Sequence, residues 1–430
     1  MKKTISLLVI LALVFVMGAV FTLSSCKAIE TTETTVAATT VAETTVAETT
    51  ATSEPAVAVS EWKVPFISQL TGEFAAFFAQ GEFSANYAVK QINDAGGVRG
   101  KPLVLEWMDE GPNPTTATPI VSKAIDENPI MLIGPSTGPN VIATMPLIKD
   151  AKILANVRTP GTGAVLPWVA PNDPWCISMI DYDDATVMPA ALEWSTMYPE
   201  MKTVVQFVYS KHTLYVSYAA LQKQALESKG IKVINIDVTE ETTNLAAVAV
   251  EALNNKPDGF VFTILAVPAA NLLKELDSRG FKDHNKYLFF NTLDDPNFYN
   301  GAKGLADGGY MWVLFNDNDP NPKWQELKNA WAAAHPEAAQ PTFVLWMDYD
   351  AVTLFATAIE TLKLTGAEDV RAEEQAKIRD WMINVKGFDF IIPGKCDIVG
   401  GVKKQPVTFN QIIDGKRNFI KNVSLADFGM

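Results

Sequence analysis

From Trp62 onward, short continuous apolar runs alternate with segments of helical period, and the alternation occurs in two successive series. The first holds runs at 63–68, 102–108, 130–133 and 152–157; the second holds 203–208, 231–237, 259–264 and 287–291. Runs of this length, mainly apolar, suit strands buried on both faces of a parallel sheet with helices on each side. Between them, Phe74, Phe77, Phe78, Ala85, Ala88, Val89 and Ile92 recur at helical spacing, and Gly96-Gly97 closes that helix. Further helices are expected at 115–126, 214–228, 243–254 and 268–279, then at 323–334, 343–364 and 371–385. Strand-like pieces at 406–409 and 418–423 end the chain. The fold class is α/β, with two doubly wound parallel-sheet lobes.

Ahead of this body stands a segment of a different kind. Lys2 and Lys3 precede an apolar run from Ile5 to Ala19, and small residues follow up to Leu23-Ser24-Ser25-Cys26. That is the plan of an export signal, residues 1–25. Its ending resembles a bacterial lipobox, which implies lipid on Cys26 and a body held at a membrane surface, outside the cytoplasm. The competing reading is an uncleaved anchor, for which the apolar run is short, since about 20 residues are wanted. From Thr34 the chain repeats in fives built on Thr-Thr-Val-Ala. Such a segment cannot bury enough apolar area to fold, so residues 26–60 read as a disordered tether.

The formal net charge of −14 argues against a nucleic-acid partner, because such binding rests on basic patches. Besides Cys26 there are two cysteines, Cys176 and Cys396, which an exported protein either pairs or keeps as separate thiols. These and three scattered histidines, His212, His284 and His335, build no metal cluster, and no cofactor motif is present.

Several motifs resemble one family. They are Leu70-Thr71-Gly72, Ile133-Gly134-Pro135-Ser136, Tyr349-Asp350-Ala351-Val352, and above all Ala88 to Gly100 with its Ala-Gly-Gly-Val-Arg-Gly ending. Together with the order of elements they resemble the type I solute-binding proteins of branched-chain amino-acid ABC transporters. The resemblance implies two lobes joined by three crossing strands and closing on a ligand. The crossings are expected near 175–179, 310–315 and 388–392. One lobe would then take residues 61–178 and 313–387, and the other 179–312 and 388–430. It also implies a permease and its ATPases as partners, a monomer, and a binding protein rather than an enzyme.

The site expectations follow from the same source. The loop Gly134 to Gly138 precedes a helix that Pro139 can start, and hydroxyls with free N–H groups there suit a carboxylate. The resemblance gives that role to Ser136 and Thr137, with Gly138 beside them; plain helix capping is the competing reading. Thr159 and Thr162 both fit the next contact position, and Arg158 reads as an exposed strand-end arginine or a partner for an anion. Thr71, Glu73 and Phe74 are expected at the mouth, although Phe74 suits the core as well. In the second lobe Tyr215 occupies the place of a ligand-contacting tyrosine. There the match weakens: Leu265-Ala266 stand where the family carries an aromatic, and Asn291 stands where it carries an acid for the ligand ammonium. Asp294 or Asp295 would have to substitute. A buried ammonium without a counter-charge costs several kcal/mol. The solute is therefore a branched-chain amino acid or a related amide or carboxylate.

Two rivals remain open at this level. A ligand-sensing module for a membrane receptor would use the same fold. A secreted serine hydrolase would use Ser136 in Gly134-x-Ser136-x-Gly138, the spacing of a nucleophile elbow, with an acid and then a histidine later in the chain.

Overall fold

A computed structural model describes residues 54–430, apart from Glu73, residues 160–161, Asp173, Glu240 and residues 338–340. The leader, Cys26 and the five-residue repeats lie outside the described residues.

The first series folds as β1 (Trp62–Ser68), α1 (Ala75–Asp94), β2 (Leu103–Asp109), α2 (Pro114–Asp126), β3 (Met131–Ile133), α3 (Gly138–Asp150), β4 (Leu154–Val157), α4 (Thr162–Val165) and β5 (Cys176–Ser178). The second folds as α5 (Asp183–Met197), β6 (Thr203–Val208), α6 (Thr213–Ser228), β7 (Lys232–Asp237), α7 (Leu245–Asn254), β8 (Gly259–Thr263), α8 (Ala266–Ser278), β9 (Tyr287–Phe289), α9 (Pro296–Ala302) and β10 (Tyr310–Val313). Helices α10 (Pro322–Ala334), α11 (Phe343–Leu362) and α12 (Arg371–Met382) follow. Six strands close the chain: β11 (Phe388–Asp389), β12 (Lys395–Cys396), β13 (Ile398–Val399), β14 (Val402–Lys403), β15 (Val407–Ile413) and β16 (Lys416–Val423).

Among the described residues there are two seven-stranded sheets, ordered β13-β14-β5-β4-β3-β1-β2 and β16-β15-β10-β9-β8-β6-β7. Within each, the five strands of the βα series run parallel. The apolar runs explain this: β3, β4 and β8 are buried at every residue, as sheets covered on both faces require. Helices α1 and α11 pack together on the first sheet, and α5 and α6 on the second.

Three crossings join the lobes, and all lie on the same edge of each sheet. The chain leaves the carboxyl end of β5 for the start of α5, and the carboxyl end of β10 for the start of α10. The third runs from β14, parallel to β5, to β15, antiparallel to β10. A helix that follows a parallel strand starts near its carboxyl end, so the carboxyl edges of the two sheets face one another. Asp181, after β5, accepts from Lys404 Nζ at 2.5 Å and so ties the first crossing to the third.

The structure differs from expectation in two places. The third crossing was expected at 388–392, but Phe388–Asp389 pairs with Lys395–Cys396 as a small hairpin and β13 and β14 extend the first sheet. The chain therefore returns to the second sheet at Val407, and residues 388–403 belong with the first sheet. The disordered tether was expected to run to residue 60, but residues 54–59 pack on the first lobe. Ala58 N–H donates to Thr365 O at 2.8 Å, Arg99 Nη2 donates to Pro55 O at 2.7 Å, and Val57 and Val59 join the core. Cys176 and Cys396 are both free thiols, and burial pushes each above its ordinary range, Cys396 to about 11. Among the described residues no helix is long and apolar enough to cross a membrane.

Candidate functional site

Open α/β sheets present ligand-binding loops at the carboxyl ends of their strands. In the first lobe that edge carries Gln69, Glu110, Ser136 and Arg158, each within three residues of a strand end. All four are at most 2 % exposed.

The loop after β3 is held by its backbone. Gly134, at φ +104°, packs so close to β1 that a Cβ would lie 2.2 Å from Ile67 O, so only glycine fits. Gly134 N–H donates to Asn156 O at 2.7 Å, and Arg158 N–H donates to Pro135 O at 3.0 Å. These contacts fix Ser136 at the entry to α3. Thr137 is the N-cap residue, yet its side chain makes no capping bond. Gly138 lies beside Thr159, whose Oγ1 would be 3.7 Å from a Cβ there. The structure thus brings Ser136, Thr137, Gly138 and Thr159 together at this edge.

Sequence reasoning missed the group that Ser136 actually holds. Its backbone N–H donates to Glu110 Oε1 at 3.1 Å, and its hydroxyl donates to the same oxygen. Ser136 Oγ also accepts from Gln69 N–H at 3.1 Å. Burial pushes the Glu110 carboxyl above the usual carboxylate range, while Ser136, Asn140 and Arg158 favour its charged form. A carboxyl directly after a strand, in Asp109-Glu110-Gly111-Pro112, was the available signal.

Arg158 is not an exposed strand-end arginine. At 1 % exposure it donates from Nε to Asp348 Oδ1 of α11 at 2.8 Å, and its Nη2 bonds the other carboxylate oxygen. The guanidinium lies 4.8 Å from the ring centres of both Phe66 and Phe78. Nearer the surface, Thr71 Oγ1 donates to Asp109 Oδ2 at 2.7 Å. Burial works against that carboxylate's charge, but bonds from Thr71, Gly111 and Leu70 outweigh it and hold Asp109 below its ordinary range. Phe74, which also suited the core, is 39 % exposed at the start of α1. Thr162 opens α4.

In the second lobe, Tyr215 is buried, with its hydroxyl 3.1 Å from Thr292 Oγ1, so α6 is fastened to the turn after β9. Asn291 begins that turn with a buried Oδ1 that has no protein partner, and Leu265 occupies the N-cap position of α8 without a capping bond. Asp294 has a structural role. It forms an ion pair with Arg417, Nε lying 2.9 Å away, and accepts from the Tyr299 hydroxyl at 2.9 Å, and Arg417 also pairs with Asp317 at 2.7 Å. Asp295 caps α9 through Asn297 N–H.

Two hollows, of about 560 and 220 Å³, lie elsewhere, around Lys323 and Asp389, and none of the expected site residues lines either. Nor does Ser136 meet an imidazole. His212 caps α6, His284 sits 3.3 Å from Asp277, and His335 stacks on Trp331. The nucleophile-elbow reading has no support in these contacts.

A profile of the family described as periplasmic binding protein matches residues 61–412. The chain belongs to this family. Periplasmic binding proteins of this type bind solutes rather than transform them, and act outside the cytoplasm. The leucine-specific-binding protein of Salmonella typhimurium is 21 % identical over 352 residues, 79 % of this chain and 92 % of that protein. Among solved structures, leucine binding protein LivK of Thermotoga maritima superposes with TM-score 0.69 at 17 % identity, over 85 % of this chain and 99 % of that one. The substrate-binding protein LivJ of Streptococcus pneumoniae, solved with isoleucine, gives the same TM-score, identity and coverage. At such identity the likeness establishes a two-lobed periplasmic binding protein fold.

Proposed function

We propose that this chain is the extracytoplasmic substrate-binding component of an ABC importer. It captures a small polar solute between the carboxyl edges of its two sheets and delivers it to a membrane permease driven by ATPases. The observation that carries the reading is the family match across residues 61–412, on a fold whose crossings all lie on the edge where polar loops converge. The relatives named for leucine, and the one solved with isoleucine, favour amino acids and their derivatives as the solute class. Thr71, Phe74, Thr137, Gly138 and Thr159, together with Thr162, are the proposed contacts from the first lobe. Tyr215, Leu265 and Asn291 are those from the second. The leader fits an anchor through lipid on Cys26, with the body acting as a monomer at the membrane surface.

A thermal-shift screen of amino acids, short amides, urea and carboxylates tests the reading. A solute at 100 times its dissociation constant adds about 2.7 kcal/mol and raises the midpoint. Silence across the library would sink the reading.

A further inference from the structure

The loop entering α3 offers an anion two donors at the positive end of a helix: the Ser136 backbone N–H and its hydroxyl. Both already point at Glu110 Oε1. Glu110 is fully buried, and its other oxygen, Oε2, accepts no hydrogen bond of good geometry within the protein. A second carboxylate brought to this loop would meet a like charge away from water and find the donors taken.

Among the described residues, the carboxylates at the second-lobe strand ends already have hydrogen-bond or ion-pair partners. Asp294 and Asp317 share Arg417, Asp237 accepts from Ser210 N–H and hydroxyl, and Asp295 caps α9. The Ser136 donors are thus closed to the carboxylate of an α-amino acid, and the second-lobe carboxylates named here are already engaged. The groups that lack protein partners at the first-lobe edge are of mixed kind. Glu110 Oε2 and Gln69 Oε1 accept, whereas Gln69 Nε2 and Arg158 Nη1 donate, the arginine's charge being balanced by Asp348. An N–H beside a C=O matches that mixture.

We infer, resting on the importer reading, that Glu110 is a resident anion filling the carboxylate niche of this loop, and that the solute is an uncharged amide rather than a carboxylate or an α-amino acid. Glu110 then sets specificity by occupying the place a ligand carboxylate would take.

The test is calorimetric titration of the full chain with matched pairs on one carbon skeleton: acetamide and acetate, isovaleramide and isovalerate, benzamide and benzoate, with L-leucine alongside. Wild type, Glu110→Gln and Glu110→Ala are compared. In wild type and Glu110→Gln the niche stays filled, so the better amide should bind roughly tenfold or more tightly than its acid. Glu110→Ala frees the Ser136 donors and should shift that ratio roughly tenfold toward the acid. Glu110→Gln, which keeps the side-chain volume, shows whether a folded protein retains the preference. A wild type that binds an acid or leucine as tightly as the amide overturns the inference, and so does an unchanged ratio in Glu110→Ala. Silence from every probe in all three proteins overturns it too. A hit elsewhere in the thermal-shift library would then leave the importer reading standing, and silence there would remove both.

Discussion

Arg158 at the end of β4 donates from Nε to Asp348 Oδ1 on α11 at 2.8 Å, and Gly81 of α1 is the residue that leaves them room. A Cβ at position 81 would lie 1.8 Å from Asp348 Oδ2 and 2.8 Å from Arg158 Nη2. The pair fixes the strand end, and with it the loop that reaches back from Arg158 N–H to Pro135 O.

Breaking this pair from one side strands a buried charge. Asp348→Ala should cost about 3–5 kcal/mol in urea unfolding. Gly81→Ala, an overpacking change, should cost about 1–3 kcal/mol. Wild-type stability in both variants would remove the pair from the account.

Ser136 supports Glu110 in the same way. Ser136→Ala should lose about 1.5–3 kcal/mol of folding stability, the range for a bond to a charged group. The loss belongs in the urea midpoint, because the hydroxyl's partner is within the protein. A variant with an unaltered midpoint and weakened carboxylate binding would instead return Ser136 to the ligand.

Arg417 neutralises Asp294 and Asp317 together, at 1 % side-chain exposure. Arg417→Met should destabilise by about 3–5 kcal/mol, because two buried carboxylates lose their partner. Asp294→Asn should lower stability while leaving the solute dissociation constant of the folded protein unchanged. A large rise in that constant would make Asp294 a ligand contact after all.

Asp350 and Lys403 form a second buried pair, 3.5 Å apart, with Lys403 packed over Trp346 and Phe390. Burial raises the Asp350 carboxyl from 3.8 to about 7, against the pull of Lys403 and the Ile391 N–H. The folded state therefore holds a proton that the unfolded chain releases at lower pH. This group's contribution to stability falls as pH rises from about 4 to 7, by at most about 1.4 kcal/mol per unit. Burial lowers Lys403, which acts in the opposite sense at alkaline pH. Asp350→Asn should flatten the urea midpoint between pH 4 and 7; an unchanged slope would contradict the assignment.

Strands such as Met131–Ile133 were legible because their burial on both faces leaves an uninterrupted apolar run. The third crossing was not. Phe388–Ile392 is as apolar as a strand but folds as a hairpin edge, while the true return passes through Lys403-Lys404-Gln405, which reads as surface. Arg158 misled for a related reason: its partner is 190 residues away, and no local pattern announces it. The loop 134–138 was found from its residue types, yet the carboxylate it holds proved to be the chain's own.

Hydrogen exchange across the chain, with and without the solute that most raises the midpoint, tests the central claim most directly. A solute held between the lobes should slow exchange at the first-lobe loop 134–138 and also at the second-lobe turn 291–293. Protection confined to one lobe, or to the hollows near Lys323 and Asp389, would contradict capture between the two sheets.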